Sequence, residues 1–122
     1  MLATGVDIIE ISRIRRVLDR YSQRFLDRVF TPAEIEYCRG RAPNLAARFA
    51  AKEATMKALG TGVRGVSWKD IEVIRAESGA PSVKLHGRAK ARAERLQVVE
   101  ISLSISHSRE FAVAFVVAQR ED

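Results

Sequence analysis

Residues 48–62, RFAAKEATMKALGTG, place apolar side chains around most of the circumference of a helix. Leu45, Phe49, Met56 and Leu59 form a stripe of large residues, and Ala47, Ala50, Ala51, Ala54 and Ala58 form a second, small-residue side. A helix without a clear polar face is buried on most sides, and alanines let its neighbours come close. The helix is expected from about Leu45 to Leu59, with Gly60 as its C-terminal cap. Four charges interrupt it: Arg48, Lys52, Glu53 and Lys57. Glu53 and Lys57 are four apart and share a face, while Lys52 falls inside the apolar stripe. Buried charges are costly unless paired. Two explanations stand side by side. In one, Glu53 and Lys57 form a surface ion pair and Lys52 snorkels to water. In the other, the helix lines a polar site, with Glu53 as metal ligand or base and with Arg48 and Lys57 holding an anion.

Around this helix the chain reads as α+β. A strand is expected at roughly 3–9, followed by a helix from about Ser12 on which Ile11, Ile14, Val17, Leu18 and Tyr21 recur at helical spacing. Thr31-Pro-Ala-Glu34 is a capping box with proline at the first helical position, so a helix starts at Pro32. Strands are predicted at 70–76 and 82–86 across the turn Ser78–Pro81, then a helix at 88–97 and two final strands at about 99–107 and 111–119. The expected fold is a small antiparallel sheet packed with helices, one of them long and central. With no repeat or linker-like stretch, residues 1–122 read as a single domain.

A formal net charge of +6 favours an anionic partner. Aromatic residues make up 7% of the chain and do not interleave with basic runs, which argues against single-stranded nucleic acid. The single cysteine, Cys38, excludes an internal disulfide and a cysteine metal cluster, and fits a reducing cytosol. No apolar run reaches membrane-spanning length. The expected setting is cytoplasmic, with neither nucleic acid nor membrane as partner.

The first strand, Gly5-Val-Asp-Ile-Ile9, carries Asp7 among apolar residues, where aspartate is uncommon. A strand Asp and a helix Glu with Lys and Arg nearby suit Mg²⁺ and a phosphate substrate, because Mg²⁺ is held by one or two carboxylates plus water and substrate oxygens. The alternative for Asp7 is a cap on the next helix. Gly60-Thr-Gly-Val-Arg-Gly65 spells G-x-G-x-x-G, but it ends a helix, whereas a dinucleotide fingerprint follows a strand and opens one. Backbone N–H groups at Gly60 and Gly62 can still approach a phosphate. Val99, Ile101, Leu103 and Ile105 alternate with polar residues, and His107 continues their parity, either as a packed residue or as a ligand contact. No Ser–His–Asp triad or zinc-type spacing is present.

Together GVDIIEISRIRR (5–16), RFAAKEATMKALGTG (48–62) and SISHSREFAVAFVV (104–117) resemble holo-acyl-carrier-protein synthases, the short class of 4′-phosphopantetheinyl transferases. The resemblance covers nearly the whole chain. It implies that a serine of an apo acyl carrier protein attacks the β-phosphorus of coenzyme A, gaining phosphopantetheine while 3′,5′-ADP leaves. By that resemblance Asp7 and Glu53 hold Mg²⁺, and Lys57 contacts the phosphates and stabilises the leaving group. Arg48 binds the nucleotide part of coenzyme A, and Gly60, Gly62 and His107 belong to the same binding surface. Arg13, and with it Arg24 and Arg28 in RFLDR, meet the acidic carrier protein. Ser108 stands where many relatives carry Thr or Asp, so a base at that position is excluded. The base is left open between Glu53 and a water that Glu53 orients on the metal. Lys52 lies in the motif without an assigned chemistry. The family's short members form homotrimers with active sites between subunits, and Phe111–Ala118, apolar on both faces, fits such an assembly. Two other functions use parts of the same features: an Mg²⁺-dependent hydrolase of a nucleotide pyrophosphate, and a basic binding module without catalysis.

Overall fold

A computed structural model describes residues 1–63 and 65–121. Among the described residues the strands are β1 (Leu2–Glu10), β2 (Ile71–Arg75), β3 (Pro81–Leu85), β4 (Val98–His107) and β5 (Phe111–Arg120). The helices are α1 (Ile11–Tyr21), α2 (Gln23–Val29), α3 (Pro32–Cys38), α4 (Ala42–Leu59) and α5 (Gly87–Arg95), with a 3₁₀ turn at Trp68–Asp70. The architecture is the expected α+β one, with α4 at its centre. Helix α4 starts three residues before Leu45 because Pro43 sits in its first turn, where no backbone N–H needs an acceptor. It ends as expected, with Gly60 in the left-handed conformation at φ 69°.

One face of α4 carries an antiparallel sheet in the order β1-β5-β4. In register, Asp7 of β1 lies beside Ala114 of β5, which lies beside Ile105 of β4. Ala112, Ala114, Val116 and Ala118 of β5 are wholly buried, as are Ala50, Ala51 and Ala54 of α4. Gly5 is indispensable to this packing, since a Cβ there would overlap the Ala54 carbonyl. Strand β1 therefore crosses α4 at backbone contact distance, and Asp7, two residues on and on the same strand face, is delivered beside Lys57 of α4.

The hairpin β2–β3 and helix α5 enclose the other side of α4 through Met56, Val66, Ile71 and Ala89. Helix α3 begins with the expected capping box: the Glu34 N–H donates to Thr31 Oγ1 and the Thr31 N–H to Glu34 Oε1. Two details differ from the sequence reading. Helix α2 was not foreseen, because the break before it is made by Ser22 at φ 45° rather than by Gly or Pro. Val99 does not face inward with Ile101 and Leu103; a β-bulge between Val98 and Glu100 turns it out to 59% exposure. Among the described residues no helix is long and apolar enough to cross a membrane.

Candidate active site

Strand β1 and helix α4 bring two carboxylates and a cation together. Lys57 Nζ donates to the Val6 carbonyl at 2.9 Å and to Asp7 Oδ1 at 3.2 Å. It thus pairs with a residue fifty positions away in sequence instead of forming the local ion pair with Glu53. Glu53, one turn before Lys57, is half-buried. Burial pushes its carboxyl above the usual range, the negative charge of Asp7 adds to the rise, and Lys57 and Arg13 oppose it. Asp7, Glu53, Lys57 and Arg13 therefore lie within each other's fields. Arg13 comes from α1, which follows β1 without a loop, its first N–H anchored on the Glu110 carbonyl at 2.8 Å.

A half-buried carboxylate with a second carboxylate adding to its rise fits a hard divalent cation. The donors are oxygens, and among the described residues no third His, Cys, Asp or Glu joins them in a metal-binding group. That pattern suits Mg²⁺, which takes few protein ligands, and does not suit zinc.

The family model of the 4′-phosphopantetheinyl transferase superfamily matches residues 3–116. The chain belongs to this superfamily. Among relatives of this transferase, a holo-[acyl-carrier-protein] synthase of Dehalococcoides mccartyi is 53% identical over 119 residues, covering 98% of this chain and 99% of the relative. The Helicobacter pylori holo-[acyl-carrier-protein] synthase, solved in complex with coenzyme A, superposes with a TM-score of 0.87 at 35% identity, over 95% of this chain and 99% of that one. A Bacillus anthracis holo-(acyl-carrier-protein) synthase in complex with CoA (3′,5′-ADP) does so with a TM-score of 0.79 at 38% identity, over 98% and 96%.

The remaining predicted residues of the transferase fall into separate places. Arg48 is buried at 4% exposure and stacks over the Tyr37 ring, its Cζ 4.2 Å from the centroid. Its Nε has no hydrogen-bond partner. Arg48 and Lys57 are about two and a half turns and ~13 Å apart along α4, on opposite sides. Within one chain they do not face a common anion. Arg41 and Arg75 also stand over Tyr37, at 5.8 and 5.1 Å, a clustering that their positions in the sequence do not signal.

Arg24 and Arg28 line one groove with Val17, Tyr21 and Phe25 between α1 and α2. Arg13, Val17 and Tyr21 follow at four-residue spacing, so Arg13 continues this groove toward Glu53. His107 is exposed at the end of β4 and shares the sheet face of Asp7. Gly60 and Gly62 follow α4 directly; the G-x-G-x-x-G match also spans residue 64, which lies outside the described residues.

Lys52 does not snorkel. It is fully buried and donates to Glu34 Oε1 at 2.8 Å, to the Ile71 carbonyl at 2.6 Å and to the Trp68 carbonyl at 3.2 Å. Desolvation lowers its pKa and Glu34 opposes that. The signal for this pair was present in Glu34, whose capping role left acceptor capacity for a partner.

Proposed function

We propose that the chain moves 4′-phosphopantetheine from coenzyme A to a serine of an acyl carrier protein at the Asp7–Glu53–Lys57 cluster, releasing 3′,5′-ADP. The observation that carries this assignment is the meeting of the β1 and α4 carboxylates beside Lys57, with Asp7 adding to the rise that burial gives Glu53. Asp7 and Glu53 would hold Mg²⁺. Mg²⁺ when bound supplies charge neutralisation and polarisation of the pyrophosphate. Lys57, half-exposed, is free to turn from the Val6 carbonyl to a phosphate oxygen and to stabilise the departing 3′,5′-ADP. Glu53, or a water that it would orient on the metal, is the candidate to take the serine proton. Gly62 offers its backbone N–H to coenzyme A; the Gly60 N–H is taken by the Lys57 carbonyl at 3.1 Å, so Gly60 serves by turning the chain out of α4 and not as a donor. His107 stands on the same sheet face as Asp7.

The carrier protein docks on α1 and α2. Arg13, Arg24 and Arg28 face its acidic surface, and the apolar floor of Val17, Tyr21 and Phe25 takes side chains from its helix. Because Arg13 also acts on Glu53, docking there brings the carrier serine to the carboxylates.

The functional unit is a homotrimer. The outward face of β1 and β5 exposes Leu2, Val6, Ile8, Phe111 and Phe115, with Val113 and Val117 between them half-buried. Adjacent cross-strand pairs such as Val6–Phe115 and Ile8–Val113 make this one continuous apolar surface, larger than scattered exposed residues account for. A second copy covers it. Since Arg48 points away from its own Lys57, Arg48 with Arg41 and Arg75 serves the nucleotide of coenzyme A held by a neighbouring copy. Residues 1–122 act as one domain. We place the reaction in the cytoplasm, consistent with the buried free thiol of Cys38.

Incubation with Mg²⁺, coenzyme A and an apo carrier protein, followed by the carrier's intact mass, tests the assignment. A gain of one phosphopantetheine, lost with Asp7→Asn or Glu53→Gln, is expected. Hydrolysed coenzyme A with unmodified carrier would mean a hydrolase, and no reaction a binding module.

A further inference from the structure

Lys52 is the one charge of α4 that the proposed reaction leaves unused, and burying a lysine completely is rare. Its three contacts leave α4 in two directions. One goes to Glu34, the capping residue of α3, which also accepts the Val73 N–H through Oε2 at 2.9 Å. The other two go to main-chain carbonyls, that of Trp68, the first residue of the 3₁₀ turn, and that of Ile71, the residue after it. Those carbonyls close the segment that begins at Gly60. The beginning of the same segment is held as well: Arg92 of α5 donates from Nε to the Leu59 carbonyl at 3.1 Å, and its Nη2 lies beside Gly60. The glycine segment is therefore tied at its entry by Arg92 and at its exit by Lys52.

Between these ties the described residues are held by local bonds, from the Thr61 N–H to the Met56 carbonyl at 3.0 Å and from the Gly65 N–H to the Gly62 carbonyl at 3.1 Å. Gly62 and Val63 are exposed, a Cβ at Gly62 would meet nothing within 4 Å, and Val66 is buried at the far end. The Gly60, Thr61 and Gly65 N–H groups are used within the chain, and the Gly62 N–H is offered in a fixed position only if both ends of the segment are fixed. We propose that Lys52 is a positioning residue for coenzyme A: by holding the Trp68 and Ile71 carbonyls it sets where Gly62 lies near the C-terminal end of α4 and Lys57. The ion pair with Glu34 compensates the buried ammonium, while the two carbonyl contacts carry the positioning. This inference rests on the assignment of Gly60 and Gly62 to the coenzyme A surface.

A structural role and a positioning role separate in the kinetics. Lys52→Met loses both the ion pair and the carbonyl tethers. Glu34→Gln loses the charge of the pair but leaves the ammonium on Trp68 and Ile71. The KM for coenzyme A should rise about tenfold or more in Lys52→Met, the effect of losing buried hydrogen bonds, with the carrier KM within about twofold of native. In Glu34→Gln the coenzyme A KM should stay within about twofold of native even if the melting temperature falls. If Lys52→Met does not fold, the double variant Lys52→Met/Glu34→Leu, which leaves neither charge of this pair behind, takes its place and should show the same split. Equal rises in coenzyme A KM for Lys52→Met and Glu34→Gln would overturn the proposal, as would a folded Lys52 variant with native KM. Failure of both Lys52 variants to fold would assign Lys52 to stability alone and overturn it too. Lys57→Ala serves as the reference. If it raises the coenzyme A KM and Lys52→Met does not, only the tether is wrong. If neither does, the coenzyme A assignment of this end of α4 falls.

Discussion

Lys52 Nζ and Glu34 Oε1 lie 2.8 Å apart with neither side chain exposed to solvent. Both charges are met on several sides, the ammonium by two carbonyls and the carboxylate by the N–H groups of Thr31 and Val73. Breaking such a pair leaves one charge buried without compensation, which costs about 3–5 kcal/mol, whereas replacing both partners costs far less than the sum. Chemical denaturation of Lys52→Met, Glu34→Leu and the double variant should show this non-additivity. Additive losses would mean that the two residues do not act as a pair.

The raised pKa of Glu53 sets a pH dependence. A carboxyl that ionises later in the folded chain than in the unfolded one holds its proton more tightly when folded. Its contribution to metal-free stability is complete below the ordinary glutamate range and is lost as pH rises through the raised value. Ionised Glu53 is the form that binds a cation, so the acid limb of kcat/KM should lie above the ordinary glutamate range at low Mg²⁺ and move to lower pH as Mg²⁺ is raised. Profiles at two Mg²⁺ concentrations with coincident limbs would remove Glu53 from the metal site.

The arginines of the α1–α2 groove should separate from one another. Arg28→Glu should raise the KM for the carrier protein far more than that for coenzyme A, and this effect should weaken with salt. Arg13→Glu should do the same and also shift the acid limb upward, because Arg13 opposes the rise of Glu53. Steady-state kinetics with each substrate varied at two ionic strengths check both expectations. An Arg13 variant that weakens both substrates equally would place this residue in the fold or the nucleotide pocket.

Neighbouring substitutions on β5 should fail in different ways. Ala114 is wholly buried against α4, and Ala114→Glu should unfold the chain. Val113 pairs with Ile8 and Ser106 on the opposite face, and Val113→Glu should leave a folded, dissociated and inactive chain. Light scattering with circular dichroism distinguishes these results. A Val113→Glu protein of unchanged mass and activity would mean that the assembly uses another surface.

Much of this molecule follows from local spacing. The buried character of α4, its cap at Gly60, the capping box at Thr31 and the alternation along β4 depend on residues a few positions apart, where helix and strand geometry fix what faces what. The candidacy of Asp7 and Glu53 was also legible, since a carboxylate in an apolar strand or helix needs a reason. The partners of the long charged side chains were not. Four-residue spacing offers Lys57 to Glu53, but the close crossing that Gly5 permits puts Asp7 nearer, fifty residues away. Lys52 reads as an exposed stem until α3 folds over it and supplies Glu34. Arg48 belongs to the same motif as Lys57, yet the turn of the helix sends it to Tyr37 on the far side. A flexible cation takes the acceptor that distant elements bring within reach, and only the packed chain decides which that is.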